Sequence, residues 1–120
     1  YSQRQCLDVF REMGVDVSDM AICGGGGRSP LWRQMLSDLY GCPVKTIASE
    51  QGPALGVAIL AGVGAGMYDT VAQGCAAAVR TGEKSMPDSG RSAAYEPYYN
   101  LYRRVYPALR EQFGTLASLE

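Results

Sequence analysis

The sequence predicts an α/β layered domain, helix-rich with few strands, and three observations predict it. Apolar periodicity along the 120 residues gives the order helix, strand, helix, strand and then three helices. Four consecutive glycines, Gly24 to Gly27, stand between an apolar strand-like run and a helix start. The two candidate strands are too few to make a stable sheet alone, so the domain is expected to be part of a larger fold. The chain also opens at Tyr1 within a segment that already reads as helix, which adds to the expectation of an excised piece.

Gln3 to Met13 predicts the first helix, with Cys6, Leu7, Phe10 and Met13 on one face and Gly14 as its stop. Val15 to Cys23 leads into the first strand. Ser29 is a good N-cap, and Pro30 suits the first position of a helix over 30–40. Leu31, Met35 and Leu39 form its apolar stripe, Trp32 and Leu36 widen it, and Gly41 ends it. Pro43 to Ile47 predicts the second strand, with proline tolerable at its first residue. Gly52-Pro53 opens a third helix to about Gly66, apolar nearly all round and therefore expected to be buried. Its small residues, Ala54, Gly56, Ala58, Ala61, Gly62 and Ala65, call for a neighbour packed very closely.

Asp69 caps a fourth predicted helix, about Thr70 to Arg80. Thr81 to Ser92 has no periodicity and contains Gly82, Pro87 and Gly90, so it reads as a surface connection. The last helix covers Asn100 to Phe113, starts near Ala93 or Pro97, and should be kinked at Pro107. Tyr95, Tyr98, Tyr102, Tyr106, Leu109 and Phe113 recur along it at helical spacing.

Charge is balanced, with 11 basic and 12 acidic residues and no basic block. Neither nucleic-acid binding nor attraction to an anionic membrane has electrostatic support. No apolar run is long enough to span a bilayer. Cys6, Cys23, Cys42 and Cys75 form no C-x-x-C pair and read as reduced, cytosolic thiols. The absence of histidine excludes, for this chain alone, a Ser-His-Asp or Cys-His mechanism and any histidine-containing metal site.

The glycine run is the strongest functional signal. A strand, a bare-backbone loop and a helix N-terminus in succession are where α/β proteins tend to hold anionic ligands. It is not a Walker loop, since no Lys-Ser/Thr follows at the required spacing. It is not a dinucleotide fingerprint either, since Ser29 stands where the third glycine belongs. The same residues also read as a tight strand-to-helix crossover without a ligand. Glu50 precedes a helix start, where a carboxylate favours the macrodipole, and has no visible partner for acid-base work. Arg28 either steers a phosphate or is simply solvated. The tyrosine stripe reads as a packing or docking face.

Ile22-Cys23-Gly24-Gly25-Gly26-Gly27-Arg28-Ser29-Pro30-Leu31-Trp32, followed by Glu50-Gln51-Gly52-Pro53-Ala54-Leu55-Gly56-Val57-Ala58, resembles the C-terminal domain of FGGY-type carbohydrate kinases. The ending Tyr98 to Leu109 resembles their closing helix, and within the family the likeness leans to the bacterial xylulokinase branch. The resemblance covers essentially all 120 residues in the expected order. It implies a partial actin-like, RNase H-like ATPase fold, with residues 1–120 forming the C-terminal part of the nucleotide-binding domain.

The implied reaction transfers the γ-phosphoryl group of ATP to D-xylulose, with Mg²⁺, giving D-xylulose 5-phosphate. Position by position, the family's nucleotide loop falls on Gly24, Gly25 and Gly26. Ser29 stands where relatives commonly place an asparagine against the adenosine. The implied partners are an adenine nucleotide, and a pentulose held by an N-terminal domain outside this chain. No nucleic acid or membrane is implied, and a homo-oligomer is left open. Asp8, Asp16, Asp19, Asp38, Asp69 and Asp88 all lie outside the matching motifs, so none is assigned as the catalytic base. No residue here is expected to be catalytic or to ligate a metal, and the chain alone is expected not to phosphorylate sugar. Two other readings stand beside this one: a family member acting on glycerol, gluconate, ribulose or rhamnulose, and a non-catalytic helical interaction module.

Overall fold

The computed structural model describes residues 1–48 and 52–119. The elements are α1 (Ser2–Glu12), β1 (Met20–Ile22), α2 (Gly25–Arg28), α3 (Pro30–Tyr40), β2 (Val44–Ile47), α4 (Gly52–Gly64), α5 (Val71–Ala78), β3 (Thr81–Ser85) and α6 (Ser89–Ala117). Among the described residues the strands form one sheet in the order β1-β2-β3. β1 runs parallel to β2, with Met20 opposite Val44 and Ile22 opposite Thr46. β3 returns antiparallel to β2, with an irregularity between Lys45 and Ile47.

α3 is built as its local chemistry requires. The Ser29 hydroxyl accepts from the Trp32 N–H (3.3 Å), Pro30 occupies the first turn, and Gly41 closes the helix at φ 66°, a conformation that suits glycine. Its buried face differs from the expected stripe. Arg33, Leu36, Ser37 and Tyr40 are turned inward along with Leu39, while Leu31, Trp32 and Met35 are exposed. α3 is covered on two sides, by the sheet and by α1 and α6, and those sides are not the most apolar ones. The core is small: Leu7, Leu36, Leu39, Tyr40, Cys42 and Val44, with Met20, Ile22 and Tyr95 packed against it. On α1 only Leu7 is buried, and Phe10 and Met13 of the predicted face are exposed.

α4 is not buried as expected. Ile59 and Gly62 are buried, Leu55 and Val63 are half-buried, and Val57 and Leu60 face outward. The close neighbour its small residues called for is α5, with the Tyr68 ring wedged between them. A Cβ on Gly62 would come within 3.0 Å of that ring, and one on Gly74 within 2.9 Å. α5 is capped by Thr70, one residue later than predicted. The Thr70 hydroxyl accepts from the Gln73 N–H, and the Gln73 side chain accepts from the Asp69 N–H.

The predicted connection over 81–92 is instead β3 and the start of α6. β3 is polar and nearly all exposed, so no side-chain period announces it, and its pairing with β2 is main-chain. α6 begins at Ser89 because the Asp88 side chain accepts from the Arg91 N–H, and it runs through Pro97 and Pro107 as one helix.

Two carboxylates staple α6 to the rest. Asp38, 2 % exposed, accepts from Arg91 Nε (2.6 Å), the Asp88 N–H (2.7 Å) and Gln34 Nε2 (2.8 Å). Burial pushes its pKa up, but the Arg91 and backbone donors outweigh that and hold it below the ordinary carboxylate value. Asp8 accepts from the Tyr99 hydroxyl (2.6 Å) and Arg4 Nε (2.9 Å). Its pKa is also lowered, these donors prevailing over burial. Burial, and then the bond to Asp8, pushes Tyr99 up to about 12. Tyr99 lies outside the predicted tyrosine stripe, of which Tyr98 and Tyr106 are exposed.

The radius of gyration is 18.7 Å, against about 14 Å for a compact chain of this length. α4 and the outer half of α6 therefore stand away from the core. No helix among the described residues is long and apolar enough to cross a membrane.

Candidate functional site: the glycine-loop cleft

A cleft of about 400 Å³ opens where the parallel strands β1 and β2 end. Its floor is Ile22 and Cys23 at the end of β1, with Thr46, Ile47 and Ala48 at the end of β2. Gly24, Gly27, Arg28, Arg33, Gly82 and Glu83 complete its lining. The carboxyl ends of parallel strands are the usual ligand position in open α/β sheets, because the chain turns away there and leaves a crevice.

The four glycines serve different ends. Gly24 has φ 77° and ψ −168°, a backbone state that is essentially glycine-only. A Cβ on Gly26 would come within 3.0 Å of the Trp32 indole, so that position is spent on internal packing. Gly27 is buried beside Ile22, and a Cβ on it would meet Ile22 at 3.4 Å, an ordinary van der Waals contact. Gly25 meets nothing within 4 Å and has no positive φ. The fold therefore demands glycine at Gly24 and leaves little room for a side chain at Gly26, but requires it neither at Gly25 nor at Gly27.

Of the predicted site residues, Gly24 lines the cleft. Gly25 and Gly26 sit on the single turn α2 beside it, a turn the sequence reading did not foresee. The Ser29 hydroxyl is engaged in capping α3. Glu50 and Gln51 lie outside the described residues.

The sequence reading missed Arg33, Thr46, Gly82 and Glu83. Arg33 is 5 % exposed; its Nη1 donates to the Gly27 carbonyl (2.6 Å), and its Nη2 pairs with the Glu83 carboxylate. Gly82 clears the Thr46 hydroxyl, which a Cβ there would strike. One signal for Arg33 was available: with Leu36, Ser37 and Tyr40 it repeats at i, i+3, i+4, i+7. Among the described residues no group of three or more His, Cys, Asp or Glu side chains is gathered as metal ligands, and all four cysteines are free.

The family model for the C-terminal domain of the FGGY family of carbohydrate kinases matches residues 1–65. This chain belongs to the FGGY family. The xylulose kinase of Staphylococcus epidermidis is 28% identical over 119 residues, 99% of this chain and 24% of the relative. The autoinducer-2 kinase of Yersinia pestis is 36% identical over 93 residues, 78% of this chain and 18% of the relative. Among solved structures, the xylulose kinase of Rhodospirillum rubrum superposes with a TM-score of 0.78 at 29% identity, over 94% of this chain and 23% of that one. This FGGY chain thus spans between 18% and 24% of the length of the relatives it matches, and its fold is part of the actin-like ATPase fold of these sugar kinases.

Proposed function

We propose that residues 1–120 are the C-terminal part of the nucleotide-binding domain of an ATP-dependent carbohydrate kinase, cytoplasmic, whose whole chain phosphorylates D-xylulose. The observation that carries the reading is a glycine loop at the carboxyl ends of two parallel strands, opening on a cleft, in a chain of the FGGY family. The residues present fit a nucleotide. At Gly24 and Gly25 the space a side chain would fill is open, so a ligand can rest on bare backbone. Arg28 adds a cation to the cleft lining.

In this reading Gly24 and Gly25 carry the nucleotide, with the Cys23 and Thr46 end of the sheet as its floor. Mg²⁺ would be carried by the nucleotide phosphates, the usual arrangement for this ion, and would supply charge neutralisation during transfer. The sugar site and the general base belong to the rest of the protein. Among the described residues no aspartate lines the cleft, and Asp38 and Asp8 are spent on holding α6.

Near-complete coverage by xylulose kinases favours D-xylulose. The higher identity to autoinducer-2 kinases over a shorter stretch favours a second reading, in which the substrate is autoinducer-2. Two experiments test the proposal. Mg·ADP titrated into the full-length protein should bind saturably by calorimetry and in competition with ATP; the absence of binding refutes the nucleotide site. Phosphoryl transfer measured over D-xylulose, D-ribulose, D-gluconate, glycerol, L-rhamnulose and autoinducer-2 should give the highest kcat/KM for D-xylulose. A higher value for another acceptor overturns the substrate and leaves the kinase standing. Turnover by the 120 residues alone would refute the placing of the base outside them.

A further inference from the structure

Arg33 is a cleft residue whose presence the fold does not explain. It is 5 % exposed, and its Nε is buried with no hydrogen-bond partner among the described residues. A buried guanidinium with an unsatisfied nitrogen is a poor device for stability, since an apolar side chain of similar volume usually serves as well. What it supplies is a planar fork of donors in fixed geometry. One prong holds the Gly27 carbonyl at 2.6 Å, and the other is paired with Glu83 on β3. Gly27 is the last glycine of the loop, and β3 is bonded to β2 at the centre of the sheet. A single side chain in the lining of the cleft therefore sets the end of the loop against the sheet.

We propose that Arg33 is the positioning residue of the glycine loop, with Glu83 as the tether that orients its guanidinium. Where nucleotide affinity is concerned this rests on the proposed function; where loop order is concerned it does not. Glu83 is 74 % exposed in its side chain, so its removal tests the tether without opening the core.

The test is amide hydrogen exchange on the full-length protein, comparing residues 24–28 with residues 44–47, in Arg33→Met, Arg33→Lys and Glu83→Ala. Arg33→Met should speed exchange in the loop about tenfold or more, the factor expected from losing one hydrogen bond to a charged group, and leave 44–47 as in the wild type. Glu83→Ala should do the same more weakly. Arg33→Lys should restore part of the order, because an ammonium can still donate to the Gly27 carbonyl. Affinity for Mg·ADP should fall in the same sequence of variants.

Wild-type loop exchange in Arg33→Met or in Glu83→Ala overturns the proposal. So does equal acceleration of loop and sheet, which would make Arg33 merely structural. If Arg33→Met does not fold, Glu83→Ala and Arg33→Lys decide on the same readout. A wild-type protein that binds no Mg·ADP overturns the proposed function, and the exchange comparison still decides the role of Arg33.

Discussion

Alanine at Gly24 and at Gly25 should have opposite effects on folding, although the residues are neighbours. Neither added methyl meets an atom within 4 Å, so the difference is conformational. Gly24, at φ 77° and ψ −168°, forces alanine into a region that costs of order 1–3 kcal/mol. Gly25 opens the helical turn α2 without a positive φ, so alanine there gains up to about 1 kcal/mol from reduced freedom of the unfolded chain. If the nucleotide rests on the backbone at Gly25, however, the methyl occupies its place. Overpacking of that kind costs about 1–3 kcal/mol, or roughly 5- to 150-fold in Kd. The assay is urea unfolding of both variants, with Mg·ADP affinity measured by calorimetry on the full-length protein. Gly25→Ala should keep or raise the urea midpoint and lose affinity, and Gly24→Ala should lower the midpoint. Unchanged affinity in Gly25→Ala would refute the close approach of ligand to that residue, and an unshifted midpoint in Gly24→Ala would refute the strain argument.

Gly74→Ala should destabilise by about 1–2 kcal/mol net of its helix propensity, because the new Cβ would lie 2.8 Å from Ile59 and 2.9 Å from Tyr68. Gly56→Ala, with nothing within 4 Å, should stabilise by about 1 kcal/mol, and thermal melts of the two variants check both. The Asp38 and Asp8 pKa values are lowered by folding, so their contribution is complete above the unfolded value near 4 and is lost as pH falls through the lower folded values. Tyr99 is raised from 10.0 to about 12, so its contribution is complete below the unfolded value and is lost as pH rises through that interval, measurable as unfolding coincident with phenolate absorbance. Cys23 is exposed on the cleft floor. In a variant with the other three cysteines replaced by serine, Mg·ADP should slow its alkylation; an unprotected thiol would place the ligand elsewhere.

What the sequence makes legible here is what one turn of chain decides for itself. Ser29, Pro30 and Gly41 bound α3 through contacts three or four residues apart, and each behaves as its chemistry requires. β3 was illegible because its order comes from main-chain bonds to a strand more than thirty residues away, while its side chains face solvent. The apolar faces of α4 and α3 misled for a related reason: an apolar surface predicts a cover but not which cover, and in this chain much of it has none. The glycine loop was visible as a place, not as an arrangement. That Gly26 is taken up by Trp32 and Gly25 is left open follows from a ring orientation no spacing rule contains. Arg33 and Glu83 lie 50 positions apart, and nothing in either neighbourhood announces the other.

α6 behaves mechanically as a cantilever. Its fixed end is the set of bonds to Asp38 and Asp8, and every residue from Asn100 to Leu119 is exposed. At about 1.5 Å per residue the free part is a rod roughly 27 Å long. A tilt of about 10° at the clamp would carry the tip through roughly 5 Å, a swing that follows from the rod length alone. Small rearrangements around Asp38, one turn from the closing glycine of α3, would thus be magnified at Tyr106 and Phe113, far from the clamp where they arise.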